Sequence, residues 1–171
     1  GDLMIMDRER TIQSGLIARA DPAPPPSIGD LPGPAELGGG SFPLRGDHLR
    51  QLTEGSGISH EIIYERGYKS VTASEISAYG FSAYQCRAGL LIPIWTTDGK
   101  NGSHILRPDH PRMNGKGKSL KYELPKNASI RLDVPPRCLP SLANTRIPLW
   151  VTEGQKKADA LTTHGLCAID L

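Results

Sequence analysis

The sequence predicts an α+β fold on three observations. Short segments of helical pattern, each ended by a glycine, occupy residues 46–88, which we call the helical cluster. Apolar segments separated by turn-forming pairs follow in residues 89–147, a pattern typical of antiparallel hairpins. Residues 148–171 then run from an apolar strand through a helical segment to a second apolar strand, which is the pattern of a β-α-β unit.

The N-terminal quarter differs in composition from the rest of the chain. Residues 1–20 have a weak apolar spacing that predicts a short helix in an N-terminal arm. Residues 21–45 are dominated by Pro and Gly, which disfavour helix and leave little side chain to bury, so they predict a linker. We therefore expect the packed part of the chain to begin near Gly46.

Three short helices are predicted in the helical cluster. Asp47 is expected to cap the first helix, and Ser59 to cap the second, which Gly67 ends. The third begins at "TASE", where Thr72 and Glu75 have the spacing of a reciprocal capping box. Such a cluster is either a helix-turn-helix-like unit that reads DNA or a cap that packs on the rest of the domain, and the sequence leaves both open.

Two antiparallel hairpins are predicted in residues 89–147. The first joins "GLLIPIWTT" to "SHILRPD" through the loop "DGKNG". The second joins "SLKYEL" to "SIRLDV" through "PKNA". In "SLKYEL" the charged Lys121 and Glu123 alternate with apolar residues, so we expect a strand with Glu123 on its exposed face.

The net charge of +2 conceals an uneven distribution. Between Arg107 and Arg137 eight Lys or Arg residues accompany only three acidic residues, which predicts a polyanionic partner. The loop within this segment is either mobile and solvated or a surface that follows the phosphates of single-stranded DNA or RNA. The candidates for phosphate contacts are Arg107, Arg112, Lys116, Lys118 and Lys121, and the candidates for base stacking are Tyr122 and Trp95.

Several other classes of protein are disfavoured by the sequence. Three cysteines lie far apart, so neither a disulfide framework nor a zinc ribbon is indicated. No apolar stretch reaches membrane-spanning length, and the N-terminus has no signal-peptide core. His104, Asp109 and His110 have no further metal ligand at a recognised spacing. We expect a cytoplasmic protein without a membrane partner.

The segment "PLWVTEGQKKADALTTHGLCAIDL" carries the strongest local signal. Ligands collect beyond the carboxyl end of a strand in a β-α-β unit, and Glu153 would lie there. Gly154 would let a ligand approach the free N–H groups of the following helix, where Lys156 and Lys157 add positive charge. This arrangement favours a phosphate and a divalent metal on Glu153. The alternative is structural, with Glu153 as an N-cap carboxylate paired with Lys156 or Lys157.

The same segment resembles the opening of a Toprim domain, the nucleotidyl-transfer and hydrolysis module of bacterial primases, topoisomerases and some nucleases. The longer pattern "SGIS...ERGYKSV...LLIPIW...LRPDHPR...KYELP...LDVPP...PLWVTEGQKKADAL" is similar to an uncharacterised Toprim-linked domain family. That family occurs in primase-like or helicase-like replication proteins of phages, plasmids and integrated elements. The resemblance runs from Gln51 to the last residue.

The resemblance implies a fold, a cofactor and a cellular role. Residues 148–171 would be the first β-α-β of a Toprim-like sheet, with Glu153 as its metal-associated acid and Gly154 as its motif glycine. The intact parent protein would use Mg²⁺. No Asp-x-Asp pair occurs in the chain, and Asp170 falls in the second strand rather than in that later motif. We therefore expect this chain alone to bind no Mg²⁺ tightly and to lack polymerase and nuclease activity.

These observations together predict the N-terminal part of a mobile-element primase-like or helicase-associated DNA replication protein. It would bind nucleic acid through its basic middle segment. Two other functions stay open: a non-catalytic module that binds single-stranded nucleic acid, and a domain that docks on a replicative helicase.

Overall fold

The computed structural model describes residues 43–171, so the predicted N-terminal arm and most of the predicted linker lie outside the described residues. The chain is a mixture of helix and strand, which confirms the predicted fold class. Among the described residues its α helices are α1 (Gly46–Ser56), α2 (His60–Arg66) and α3 (Gln155–Thr163). Its strands are β1 (Lys69–Val71), β2 (Gly89–Trp95), β3 (Asn101–Pro108), β4 (Leu149–Thr152) and β5 (Cys167–Asp170).

Strands β1, β2 and β3 form an antiparallel sheet with β2 in the centre. The predicted first hairpin is confirmed, because β2 pairs with β3 from Gly89 opposite Pro108 to Trp95 opposite Asn101. Strand β1 was not predicted, since three residues are too short to show a period in sequence. The loop between β2 and β3 turns through Gly99, whose φ of 75° is favourable for glycine.

The two faces of the antiparallel sheet bury two separate apolar clusters. On one face, Leu90 and Ile92 of β2 pack with Leu52 of α1 and Ile62 of α2. On the other face, Leu91 packs with residues that include Val71, Ile76 and Phe81. The sequence of β2 is continuously apolar because helices and loops cover both faces of the strand.

The helical cluster is only partly as predicted. Helix α2 is confirmed: the Ser59 hydroxyl accepts a hydrogen bond from the Ile62 N–H at 3.4 Å, and the helix ends at Gly67 with φ 81°. The expected cap of α1 is wrong, because the N-cap residue is Arg45. Asp47 lies in the first turn of α1 and pairs with the Arg45 guanidinium at 2.8 Å. An ion pair has replaced the cap.

The "TASE" segment forms its predicted hydrogen bonds but not an α helix. The Thr72 N–H donates to the Glu75 carboxylate at 2.8 Å, and the Glu75 N–H donates to the Thr72 hydroxyl at 3.3 Å. The helix that follows, Glu75–Tyr79, is a 3₁₀ helix that ends at Gly80. The apolar faces of α1 and α2 are buried on the sheet, which favours the packing cap over a DNA-reading unit.

The second predicted hairpin is wrong. Between β3 and β4 the described chain makes isolated bridges, such as the one between Leu106 and Glu123, instead of paired strands. The expected exposure is also reversed, since Glu123 is 5% exposed and Tyr122 is 45% exposed. Glu123 is buried because the Arg112 guanidinium binds its carboxylate through Nε and Nη2 at 3.0 and 2.9 Å.

The predicted β-α-β unit is confirmed. Strands β4 and β5 are parallel neighbours, and α3 connects them and packs against both. The continuous apolar pattern of the first strand predicts cover on both of its faces. That prediction is wrong within residues 43–171, because Trp150 is 49% and Val151 56% exposed. Strand β5 is buried over its whole length and packs with Val134 and Cys138.

A buried arginine links the β-α-β unit to the antiparallel sheet and α2. Arg66 is fully buried and binds Asp133 through Nη1 at 2.7 Å and Asp159 through Nη2 at 2.7 Å. The Tyr68 hydroxyl donates to Asp159 at 2.6 Å. Burial raises the pKa of Tyr68, so its hydroxyl remains a donor. The Trp95 N–H donates to Asp133 at 2.8 Å, which ties the end of β2 to the same network.

Candidate functional site

The strand-to-helix junction lies where the sequence predicts it. Glu153 follows the last residue of β4, Gly154 is the N-cap residue of α3, and Gln155 begins the helix. The first N–H groups of an α helix have no carbonyl partner within the helix. The junction therefore combines a carboxylate with the amide-rich end of α3 at the carboxyl edge of the parallel strand pair.

Gly154 leaves open space at this junction. Its φ of 175° is extended backbone that any residue adopts, so its conformation does not require glycine. A Cβ built on Gly154 would meet no atom within 4 Å, so close packing does not require glycine either. The space that a side chain would fill is available to a ligand.

Glu153 is only partly explained by the structural alternative. It does not cap α3, because the cap position belongs to Gly154 and no side chain bonds there. It does pair with Lys157 at 2.5 Å, in an exposed contact between residues four apart. The Lys157 ammonium lowers the pKa of Glu153, so its carboxylate is charged at neutral pH. Lys156 is left out of this pair.

Asp170, at the end of β5, was not among the predicted site residues. It is 3% exposed, and its Oδ2 accepts a hydrogen bond from the side-chain amide Nε2 of Gln155 at 2.5 Å. Its Oδ1 is buried and has no hydrogen-bond partner among the described residues. Burial and the negative charge of Asp133 raise the pKa of Asp170 to about 6.

This raised pKa predicts a pH-dependent stability that Asp170→Asn removes. A carboxyl with a higher pKa in the folded than in the unfolded state stabilises the fold below its unfolded pKa, and this contribution is lost as pH rises through about 6. We expect Asp170→Asn to gain about 1–2 kcal/mol relative to the unchanged chain between pH 4 and pH 7. Urea unfolding at both pH values measures it. An equal difference at both pH values would contradict it.

Two cavities lie along α1, and each is large enough for part of a nucleotide. The cavity at the strand tips, which we call the strand-tip cavity, has a volume of about 600 Å³. It is bordered by Glu153, Lys156 and Asp170, with Tyr122 and the C-terminal end of α1 on its other sides. The second, which we call the α1 cavity, has about 610 Å³ and lies at the N-terminal end of α1.

The α1 cavity has a mixed but mainly basic lining. Arg107 and Lys121 border it together with Arg45 and Asp109. Arg45 is engaged with Asp109 at 2.8 Å and with Asp47, so these three charges are mutually paired. Arg107 and Lys121 make no ion pair with any acid in residues 43–171, so they remain available to an anion.

Arg107 also lies close to the strand-tip cavity. Burial and the positive charge of Arg107 together lower the pKa of Lys156, which borders that cavity. Lys156 makes no ion pair within the described part of the chain. Arg107 and Lys156 are therefore two like charges that act on each other, and neither is in an ion pair within residues 43–171. Such a pair is unfavourable unless an anion joins it.

The other predicted basic residues have different environments. The Arg112 guanidinium is held by Glu123 and lies 4.9 Å from the centre of the Tyr84 ring. Lys116 and Lys118 are on an exposed turn, where the Asn114 side chain accepts both of their backbone N–H groups at 2.9 Å. Arg112 therefore has a structural role, and the two lysines extend the basic surface beyond both cavities.

The two stacking candidates are separated by the structure. Tyr122 borders the strand-tip cavity and is 45% exposed. Trp95 borders neither cavity, and its indole N–H donates to the Arg66 carbonyl at 3.0 Å. Tyr122 therefore stays a stacking candidate, whereas Trp95 packs against the buried network.

His48 is a site residue that the sequence analysis missed. It is 4% exposed and lies between Ser70, at 2.8 Å from Nδ1, and Asp109, at 2.8 Å from Nε2. Both partners are distant in sequence, so no local pattern reveals the contact. Asp109 is thereby engaged with Arg45 and His48. Within residues 43–171 no group of three or more His, Cys, Asp or Glu residues is arranged to hold a metal ion.

Sequence comparison identifies a relation over a short part of the chain. Residues 140–171 match the family described as "Domain of unknown function (DUF3854)". No curated protein matches the sequence. Among residues 43–171, no helix combines the length and the apolar character needed to cross a bilayer.

Structural comparison finds bacterial primases. The Aquifex aeolicus primase, solved with its zinc-binding and RNA polymerase domains, has a TM-score of 0.55 and 14% identity over 74% of this chain and 36% of its own. The E. coli primase catalytic core has a TM-score of 0.47 and 18% identity over 72% of this chain and 47% of its own. A DnaG catalytic core has a TM-score of 0.48 and 17% identity over 71% and 46%. The chain spans less than half of these proteins and shares the fold of the Aquifex primase.

Proposed function

We propose that this chain is part of a primase-like or helicase-associated DNA replication protein and binds single-stranded nucleic acid along its two cavities. The Mg²⁺ of the intact parent protein, its mobile-element origin and its cytoplasmic location belong to the same proposal. The fold of the chain supports the proposal, since it is similar to that of a primase solved with its zinc-binding and RNA polymerase domains. The unpaired cations support it independently of any relative.

The pairing of charges around the cavities is the observation that carries the proposal. Asp47 and Asp109 are paired with Arg45, and Glu153 is paired with Lys157. Three cations that border the cavities have no such partner in residues 43–171: Arg107, Lys121 and Lys156. Phosphates are the ligands that such an arrangement favours.

The arrangement of these cations fits a strand better than a single phosphate. Lys121 borders the α1 cavity, Lys156 borders the strand-tip cavity, and the charge of Arg107 reaches both. Tyr122 follows Lys121 in the chain and exposes its ring to the strand-tip cavity. Proteins that bind single strands combine a basic track with aromatic rings on which bases stack.

The residues at the strand tips also fit the Mg²⁺ that the fold family uses. Glu153 presents a charged carboxylate, Gly154 leaves open space, and Asp170 has a buried oxygen without a partner. Mg²⁺ takes oxygen ligands and commonly combines one or two carboxylates with phosphate oxygens and water. When bound, such an ion would neutralise phosphate charge at the mouth of α3.

Binding of a fluorescent single-stranded DNA, followed by anisotropy in EDTA at several salt concentrations, tests the proposal. We expect affinity to fall as salt rises, because each phosphate contact contributes about 0.7 to the slope of log K against log salt for a single strand. The double variant Arg107→Gln/Lys156→Gln should reduce that slope by roughly 1.4, which corresponds to two lost contacts.

The matched control is Lys126→Gln/Arg146→Gln, which removes the same charge from exposed positions that border neither cavity. The control should retain most of the affinity. Equal losses in both double variants would mean that only net charge matters and would remove the proposed track. A chain that ignores single strands but binds a replicative helicase would favour the docking function instead.

A further inference from the structure

We infer that Asp170 and Glu153 together form a binding site for a divalent cation, with Asp170 as the second protein carboxylate. The inference deepens the proposed function, on which it rests for the role of the cation. It departs from the sequence analysis, which placed a metal on Glu153 alone and set Asp170 aside. Three features of the strand tips support it.

The first feature is that the parallel pairing brings the two carboxylates to the same edge. Thr152 of β4 is directly opposite Asp170 of β5, and Glu153 is the next residue along. The pairing continues past this point, because the Leu171 N–H donates to the Thr152 carbonyl at 3.3 Å. Glu153 and Asp170 both border the strand-tip cavity.

The second feature is the partnerless oxygen of Asp170. The other buried carboxylates in residues 43–171 are all matched by an arginine: Asp133 and Asp159 by Arg66, and Glu123 by Arg112. Only Asp170 Oδ1 is without a partner among the buried side-chain polar atoms that the structure describes. Buried polar atoms are nearly always hydrogen-bonded or bound to an ion, so Asp170 Oδ1 has capacity for a ligand that the described residues do not fill.

The third feature is that both the side chain and the backbone of Asp170 are held in place by hydrogen bonds. The Gln155 amide holds Oδ2, which leaves Oδ1 as the free ligand atom. The backbone of Asp170 is fixed to Asp133 by two hydrogen bonds, of 3.0 and 2.9 Å. Asp133 in turn is bound by Arg66. A carboxylate on a rigid strand with a fixed orientation is what a metal site needs.

The ligand set selects the kind of cation. Two carboxylates, without a thiolate or imidazole beside them in the strand-tip cavity, favour Mg²⁺ or Mn²⁺ over zinc. The remaining positions on the cation would belong to water and to phosphate oxygens. The competing explanation is that Lys156, which borders the same cavity, swings to Asp170 and pairs with it.

A titration of the full 171-residue chain with MnCl₂ tests the site through paramagnetic broadening of amide signals in ¹⁵N NMR spectra. We expect the amides of residues 152–155 and 170–171 to broaden at the lowest Mn²⁺ concentrations. Asp170→Asn and Glu153→Gln should each raise the Mn²⁺ concentration needed by at least tenfold. Glu153 is exposed, so its variant tests the site without risk to folding.

Asp98→Asn is the control, because Asp98 is an exposed carboxylate that, like Glu153, pairs with a neighbouring lysine. It should leave the broadening at the strand tips unchanged. Unchanged broadening in Asp170→Asn would exclude Asp170 as a ligand and overturn the inference. Broadening that appears only after Lys156→Gln would also overturn the inference, since it would mean that the Lys156 ammonium pairs with Asp170 Oδ1 in the unchanged chain.

The two proposals fail separately. The DNA titration is run in EDTA and depends on cationic side chains, whereas the Mn²⁺ titration is run without DNA. Loss of DNA binding with selective Mn²⁺ broadening would remove the proposed function and keep the cation site. DNA binding without selective Mn²⁺ broadening would remove the cation site and keep the proposed function.

Discussion

Arg66→Met is expected to lower the free energy of unfolding by about 3–5 kcal/mol. The substitution removes the only cation that contacts Asp133 and Asp159 among the described residues, and both carboxylates are buried. Two charges would then remain in the interior without compensation. Their cost exceeds what the methionine side chain recovers by packing.

The loss should also affect the site, because the network supports the strand tips. Asp133 bonds the backbone of Asp170, and Asp159 anchors α3 to α2 through Arg66. Urea unfolding measures the stability, and NMR spectra of the variant report whether signals of β5 and α3 move. The triple variant Arg66→Met/Asp133→Asn/Asp159→Asn should recover part of the loss, since it removes the buried charges as well.

Arg137→Met is the matched control. Arg137 pairs with Glu65 on the same helix α2, but their side chains are 35% and 22% exposed. An ion pair with access to solvent contributes little, so we expect a change of about 1 kcal/mol or less. A similar loss for Arg66→Met and Arg137→Met would mean that burial of the network does not decide its importance.

Gly89→Ala is expected to destabilise the chain by about 2–3 kcal/mol. A Cβ on Gly89 would collide with the carbonyl oxygen of Arg107 and lie 2.8 Å from the Cα of Pro108. These are backbone atoms of the paired strand β3, so they move only if the pairing is disturbed. Because Arg107 borders the α1 cavity, the same change should weaken binding of single-stranded DNA.

Gly115→Ala is the control for this second prediction. A Cβ on Gly115 would meet nothing within 4 Å, and the glycine is on the exposed basic loop. We expect its unfolding free energy to change by less than about 0.5 kcal/mol. Chemical denaturation of both variants gives the comparison. Equal stability of the two variants would contradict the prediction, because it would mean that the β3 backbone at Arg107 shifts away from the added Cβ with no loss of unfolding free energy.

The candidate site was predictable where its residues are neighbours in sequence. Glu153, Gly154 and the two lysines were assigned from one strand-to-helix pattern, and the structure has that pattern. Asp170 was set aside because it falls in the second strand rather than in the later Asp-x-Asp motif. Asp170 became a candidate ligand because the register of β4 and β5 places it beside Glu153 and because its Oδ1 has no hydrogen-bond partner among the described residues. Neither feature can be deduced from the spacing of residues in the sequence.

The failure of the second hairpin has a similar cause. The alternation in "SLKYEL" is a true period of two, but a period shows only that two faces differ. Glu123 is on the buried face because Arg112, eleven residues earlier, folds back to bind it. An acidic residue with a distant or irregularly spaced cation partner cannot be recognised from its own segment.

The sequence by itself determined the local elements: the helix between Ser59 and Gly67, the hairpin around "DGKNG", and the β-α-β unit that carries Glu153. Capping, turn formation and hydrophobic period act over a few residues, so they can be read from them. Only the tertiary structure decided which charges are paired. Arg66 meets its partners across 67 and 93 residues, and His48 meets Asp109 across 61. Because an ion pair depends on distance in space, the cations and the carboxylate oxygen left free for a ligand emerge only after the chain has folded.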